Sequence, residues 1–418
     1  MKNNNFRCVF EFKIVLFFLM IVSFGFAQNR NNIQIGTIDS ISSKVLNEER
    51  KIWIHLPRSA QNTGFAKQKY PVVYLLDGDA HFSSVVGMIE ELSEINGNTI
   101  CPEMIVVGIT NTNRTRDLTP THSDVDPPFV PQNLSEQSGG GEKFAEFIEK
   151  ELIPYIDSKY PTASYKTLIG HSFGGLTAIN ILTNHTNLFN SYIAIDPSMW
   201  WDHQKFLAET QKKLANKNLA NVSLFLAAAN TMDDTMDIIK VRKDTTLFTR
   251  HIRSILDFND FLNQNKKSNL KYQYKYYNDD NHGSVPLIAT YDGLRYIFKF
   301  NQLKLSIPEQ VNFNKAVLTK IEKHFEEVSK HLGYKVSIPE NTVNAYAYQS
   351  LGKKDMDLAG YLFKLNVVNY PNSPNVYDSL GDFYEVSGDK KNAMLSYEKV
   401  LVLDKNFPET KVKLEKLK

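Results

Sequence analysis

Two stretches of the chain, YPVVYLL at 70–76 and MIVVGI at 104–109, are apolar at nearly every position and rich in β-branched side chains. A strand with one wet face alternates apolar and polar residues. A run without alternation suits a strand buried on both faces, as in a parallel sheet covered by helices. Shorter or less pure runs follow at 165–169 (YKTLI), 192–195 (YIAI) and 222–227 (VSLFLA). Residues 50–56 alternate, with Ile52, Ile54 and Leu56 on one side. Amphipathic stretches lie between the runs at 82–94, 142–159, 175–186, 240–263 and 286–300. Strand–helix alternation sustained from residue 36 to about residue 300 predicts an α/β fold with a mostly parallel central sheet.

The stretch 112–141 breaks this pattern. It is rich in Pro, Ser, Thr, Asp and Gly and ends in Ser138-Gly139-Gly140-Gly141, the composition of a long loop over the sheet edge. At 418 residues the chain is long enough for two or three domains. Its 42% hydrophobic and 22% charged residues exclude a disordered, collagen-like or polytopic membrane protein.

The start reads as an export signal. Lys2, Arg7 and Lys13 precede an apolar run at 14–22, which ends in Ser23-Phe24-Gly25-Phe26-Ala27. That is a charged segment, a short apolar segment and a small-residue cleavage site, with cleavage expected before Gln28. The run is too short for a stable transmembrane span, so none is expected after cleavage. The expected location is exported, periplasmic or extracellular. Those three bases against Glu11 account for the whole net charge of +2. The remainder is neutral and has no bulk field to attract nucleic acid. Of the two cysteines, only Cys101 lies beyond the signal, so no internal disulfide is expected.

The last hundred or so residues follow a different period. Shifted by 34 positions, Ala393 falls on Ala359, Tyr397 on Phe363 and Pro408 on Pro374. Together with Leu380-Gly381 and Tyr384, this resembles the tetratricopeptide repeat, a helix–turn–helix unit. The likeness is clearest over 374–407; in 340–373 the Leu-Gly pair is displaced. Two such repeats bury little surface alone. A helical stretch at 311–332 is expected to join them to the preceding domain.

The chemistry centres on Gly170-His171-Ser172-Phe173-Gly174. This G-x-S-x-G directly follows one strand-like run and directly precedes a helix pattern, the context a nucleophile elbow requires. The sharp turn needs small flanking residues, and the Phe173 N–H points toward a developing oxyanion. The serine needs a base. His282, after the strand-like 271–277 and before a helix near Pro286, is the best placed. His185, His203, His251, His324 and His331 sit on predicted helices or lack that position, and His171 shapes the elbow. The acid should follow the strand at 222–229, where the loop holds Asp233, Asp234 and Asp237; Asp196 and Asp280 are outside candidates. Spacing does not choose among the three loop aspartates. Trp200 and Trp201 follow a strand at the same edge and are candidates to line an acyl or alcohol pocket, with packing the alternative. No clustered Cys/His metal spacing, phosphate cradle or aromatic-basic array is present, so no metal or organic cofactor is expected.

The segments 51–57, Val72–Gly78, 170–175, Asp196-Pro-Ser-Met-Trp-Trp201 and His282-Gly-Ser-Val-Pro286 resemble the putative-esterase family of α/β-hydrolases. The likeness covers roughly 35–300 and is closest to the siderophore-esterase branch. By that resemblance Ser172 is the nucleophile and His282 the base. Asp77-Gly78-Asp79 matches the loop that supplies a second oxyanion donor, here the Asp79 N–H. The Met236-Asp237 pair matches the position of the acid, although some siderophore esterases work with a Ser–His pair. The implied protein has a signal at 1–27, an α/β-hydrolase domain at 28–304, a linking helix at 305–339 and tetratricopeptide-like repeats at 340–418. The implied function is an exported serine hydrolase of carboxylic esters, siderophore or carbohydrate-linked, acting on a small-molecule ester, with a protein partner as the candidate ligand of the repeats. The alternatives are an inert hydrolase-fold scaffold that binds a partner through the repeats, or an acyltransferase or thioesterase using the same residues.

Overall fold

An eight-stranded sheet runs from residue 37 to residue 277 in the computed structural model, which describes residues 33–61, 68–124, 134–407 and 409–418. The expected signal at 1–27 and the middle of the long loop lie outside the described residues. The strands are β1 (Thr37–Ser43), β2 (Glu48–His55), β3 (Tyr70–Leu75), β4 (Ile105–Ile109), β5 (Thr162–His171), β6 (Ser191–Ile195), β7 (Ser223–Ala229) and β8 (Lys271–Tyr277). Their order is β1-β2-β4-β3-β5-β6-β7-β8. β3 to β8 pair in parallel, and β2 runs antiparallel to β4. The continuous apolar runs became strands buried at every position: β3, β4 and β6 have no exposed residue. Alternation along the strand still sorts their side chains. Val72 and Tyr74 point into one core, Val73 and Leu75 into the other.

The longer helices are α1 (Gly78–Ser93), α2 (Gly141–Phe147, a π turn Ile148–Leu152, then Ile153–Lys159), α3 (Phe173–Asn184), α4 (Lys205–Leu214), α5 (Arg250–Gln264) and α6 (Val285–Ile297). Phe144, Leu176, Phe206 and Phe258 bring α2, α3, α4 and α5 onto one core. Phe82 and Leu294 bring α1 and α6 onto the other. The predicted helix at 240–263 is broken. A short turn at Ile238–Val241 is separated from α5, because the Asp244 carboxylate accepts from the Thr246 N–H and from the Thr246 and Thr249 hydroxyls. Such local bonds compete with a helix ladder. Within 112–141 the chain forms two short helices, Arg114–Leu118 and Leu134–Gln137, on either side of the undescribed segment.

After a short helix at Ile307–Val311 come six longer ones: α7 (Lys315–Leu332), α8 (Glu340–Gly352), α9 (Met356–Asn369), α10 (Pro374–Val386), α11 (Lys390–Leu403) and α12 (Thr410–Leu417). The pair α10–α11 repeats α8–α9 with both ends of each helix shifted by 34 residues. The connecting turns repeat as well. Lys354 and Gly388 hold positive φ of 63° and 76°, and Asp355 and Asp389 cap the next helix by accepting from the Leu358 and Asn392 N–H groups. Gly381 is required by packing, since a Cβ there would lie 2.3 Å from the Tyr397 ring.

Helix α7 belongs to two cores. Val317, Leu318 and Ile321 pack with the helical pairs, while Val328 and Leu332 pack with Ile297 and Phe298 beside the sheet. His331 stacks on Phe300 at 4.5 Å, and the His324 Nε2 lies 3.1 Å from the Asn301 carbonyl. Ile38–Lys418 form one compact unit. Among the described residues no helix is long and apolar enough to cross a membrane.

Candidate active site

β5 ends at His171 and α3 begins at Phe173, leaving Ser172 between them with φ 60° and ψ −116°. A non-glycine residue rarely adopts such a backbone, and it persists only when its surroundings enforce it. Here they do. The Ser172 N–H donates to the Ile195 carbonyl (3.0 Å), and its carbonyl accepts from Leu176 (2.9 Å) and Ser198 (3.1 Å). The turn is too tight for side chains nearby: a Cβ on Gly170 would lie 2.2 Å from the Gly174 carbonyl oxygen.

His282 stands in the loop after β8. The Asn281 carboxamide accepts from the Gly283 and Ser284 N–H groups, and the Ser284 hydroxyl donates to Asp280, which stiffens this loop. The His282 Nε2 lies 3.1 Å from the Ser172 Oγ, and its Nδ1 lies 2.5 Å from the Asp196 Oδ2. Serine, imidazole and carboxylate are therefore in line. Asp196 follows β6 with φ 42° and is fully buried; its Oδ1 accepts from the Ala229 N–H at 2.9 Å. A second imidazole reaches the same carboxylate. The Nε2 of His251, on α5, lies 2.8 Å from the Asp196 Oδ2, and its ring stands edge-on to His282 at 5.2 Å. Burial alone would raise the Asp196 carboxyl, but His251, His282 and the Ala229 N–H outweigh it and hold the group well below the ordinary range.

His171 packs its ring 4.5 Å from that of His282, and its Nε2 is buried without a hydrogen-bond partner. Burial and the neighbouring His282 lower it to about 3, so it is neutral at working pH. Beneath the elbow, buried Asp77 takes a bidentate pair from Arg114 (2.6 and 2.9 Å). Arg114 in turn reaches the His171 carbonyl at 3.4 Å and covers the Phe173 ring at 5.5 Å. Burial raises the Asp77 carboxyl, but Arg114 and Asn111 more than offset this and lower it.

Two expectations from the sequence are corrected. Asp237 is not the partner of His282. It is exposed and spends its carboxylate capping the Ile238–Val241 turn through the Ile239 and Lys240 N–H groups (2.8 Å each). Asp233 accepts from Thr235, and Asp234 is likewise exposed. Trp201 does not line a pocket. It is 1% exposed, packs edge-on against Phe173 at 5.3 Å, and donates its indole N–H to the Thr121 carbonyl at 3.0 Å. Trp200 is half-buried 6.1 Å from Phe173 and retains accessible surface. Phe173 and Asp79 occupy the first turns of α3 and α1, where helix N–H groups have no partner within the helix. Sequence reasoning kept Asp196 only as an outside candidate for the acid and set His251 aside. An aspartate directly after the apolar run at 192–195 was the available signal for the first; none marked the second.

Fold and site together define an α/β-hydrolase-like protein with a serine, a histidine and an aspartate aligned at one edge of the sheet. The chain belongs to the family described as Putative esterase, which matches residues 43–284, and it is an esterase. It is 30% identical over 221 residues to the ferri-bacillibactin esterase BesA of Bacillus subtilis, covering 49% of this chain and 73% of that protein. It is 25% identical over 244 residues to a siderophore triacetylfusarinine C esterase of Aspergillus fumigatus, covering 55% and 82% respectively. Among solved structures, an IroE-like serine hydrolase from Shewanella oneidensis superposes with a TM-score of 0.65 at 31% identity, covering 79% of this chain and 98% of that one.

Proposed function

We propose that the protein is a serine esterase working through Ser172, His282 and Asp196. The observation that carries this reading is the alignment of the three groups at 3.1 and 2.5 Å. In the reaction the His282 Nε2 takes the Ser172 proton as Oγ attacks the ester carbonyl. Asp196 holds the imidazole in the tautomer with the proton on Nδ1 and stabilises the imidazolium that forms. The Phe173 and Asp79 N–H groups, at the positive ends of α3 and α1, receive the oxyanion. His282 then returns the proton to the leaving alcohol, and water attacking the acyl-serine by the same route regenerates the enzyme. The neutral His171 ring supports His282 without competing for that proton.

The substrate class is siderophore-type esters. This rests on the relatives named for ferri-bacillibactin and triacetylfusarinine C hydrolysis. The helical pairs that recur every 34 residues are read as tetratricopeptide repeats. The composition of 1–27 supports export. The test uses the chain lacking residues 1–27. Hydrolysis of p-nitrophenyl acetate should fall to background in Ser172→Ala, and a fluorophosphonate should label wild type but not that variant. Turnover that survives Ser172→Ala would overturn the mechanism. A panel of siderophore, feruloyl and acetyl-sugar esters tests the substrate class: faster turnover of the sugar-linked esters would overturn it.

A further inference from the structure

A catalytic aspartate needs one imidazole, and Asp196 has two. The Nδ1 of His282, in the loop after β8, and the Nε2 of His251, on α5, converge on a single oxygen, Oδ2. The three ligand-type atoms lie within 4.8 Å of one another, around a carboxylate that is fully buried. The other carboxylate oxygen is tied to the Ala229 N–H, which fixes the direction in which Oδ2 points. Two imidazoles and one carboxylate, with the outer oxygen held by a backbone donor, are a donor set suited to a first-row transition cation.

We infer that Asp196, His251 and His282 form an inhibitory site for zinc-type divalent cations. The inference rests on the reading of His282 as the catalytic base. Zinc holds imidazole nitrogens and carboxylate oxygens at about 2.0–2.2 Å, so tetrahedral ligand atoms stand roughly 3.3 Å apart. Each imidazole nitrogen would retreat from Oδ2 by less than about 1 Å to admit the ion. His282 sits on a loop and His251 is at the second position of α5, so neither shift disturbs the sheet. The fourth position is left for water.

The proton bookkeeping explains the silencing. In the resting site the proton of neutral His282 is on Nδ1, facing Asp196, and the free Nε2 pair faces Ser172. A cation binding at Nδ1 displaces that proton, which moves onto the Nε2 pair, and the ion takes the lone pair left on Nδ1. His251 shifts its own proton from Nε2 to Nδ1 in the same way. The His282 Nε2 then donates to the Ser172 Oγ and has no pair with which to take its proton. Hard cations such as Mg²⁺ and Ca²⁺ prefer all-oxygen sets and should not compete.

The test keeps binding and activity apart. Zn²⁺ titrated calorimetrically into metal-free Ser172→Ala chain should bind with one equivalent. Adding His251→Gln, which can still donate to Asp196, should weaken that event by at least about tenfold; His251→Asn serves as a second variant if the first folds poorly. With the otherwise wild-type chain, p-nitrophenyl acetate hydrolysis should fall as Zn²⁺ fills the site and return with EDTA. Mg²⁺ or Ca²⁺ at the same concentration should leave it unchanged. The Zn²⁺ concentration that halves wild-type activity should leave most of the His251→Gln variant's own activity. Equal Zn²⁺ affinity with and without His251, or no binding heat, overturns the inference. Zn²⁺ bound through His251 with undiminished hydrolysis overturns the silencing. Hydrolysis that survives Ser172→Ala fails the esterase reading alone, leaving the calorimetric result to be judged separately.

Discussion

The two aspartates at this edge of the sheet make opposite demands on a mutant. Asp196 is buried between two imidazoles and a backbone N–H, whereas Asp237 is exposed and caps a turn. Asp196→Asn should lower kcat by about 10³–10⁴-fold, because it loses the carboxylate that selects the tautomer and carries the counter-charge. Asp237→Ala should stay within a few-fold of wild type and lower Tm only slightly through the lost cap. Steady-state kinetics on both variants decides between them, and a collapse in Asp237→Ala would reverse the assignment. His171 makes a second demand, on pH. Burial and His282 lower it to about 3, while in the unfolded chain a histidine takes its proton near pH 6.5. Between those values the unfolded state binds the extra proton, so stability falls as pH falls through that window. Urea unfolding at pH 7 and at pH 4.5 should show a smaller loss in His171→Gln than in wild type; equal losses would mean that His171 does not resist protonation. Ser172 and His282 were legible because each carries a local mark, an elbow and a post-strand loop. Asp196 was not singled out because the ends of β6 and β7 lie side by side, and linear spacing does not say which strand end delivers the carboxylate.

At the scale of elements, uninterrupted apolar runs marked β3, β4 and β6 because both of their faces are dry. β1 went unpredicted because its burial is partial, with exposed Thr37, Ile38 and Ser40. The break before α5 was missed for a different reason: apolar periodicity continues across it, and the interruption is a side-chain capture by Asp244. The helical pairs offer a direct test of repeat geometry. Lys354 occupies the left-handed turn position that Gly388 fills one period later, and it is exposed. A side chain in that conformation costs roughly 1–2 kcal/mol, part of which glycine returns as unfolded-chain entropy. Lys354→Gly should therefore stabilise the chain by about 0.5–1 kcal/mol, and Gly388→Lys should destabilise it by a similar amount. Thermal melts of the pair should move in opposite directions; a parallel shift would show that the two turns are not equivalent.

For the whole molecule, the decisive element is α7, whose one end lies in the helical core and whose other end covers Ile297 and Phe298. Truncation after Asn301 should leave small-ester hydrolysis within a few-fold of wild type, since Ser172, His282 and Asp196 all precede it. It should lower Tm and solubility, because it bares an apolar face beside the sheet. A truncated enzyme with an unchanged melt would show that α7 contributes nothing to that face; one that folds but is inactive would place part of the site in the tail. The same helix sets a timetable. A nascent chain acquires all eight strands and α6 before the ribosome has made Val328 and Leu332, so the sheet's second core waits for its last cover until well after its catalytic residues exist. The newborn esterase thus passes most of its synthesis unsealed.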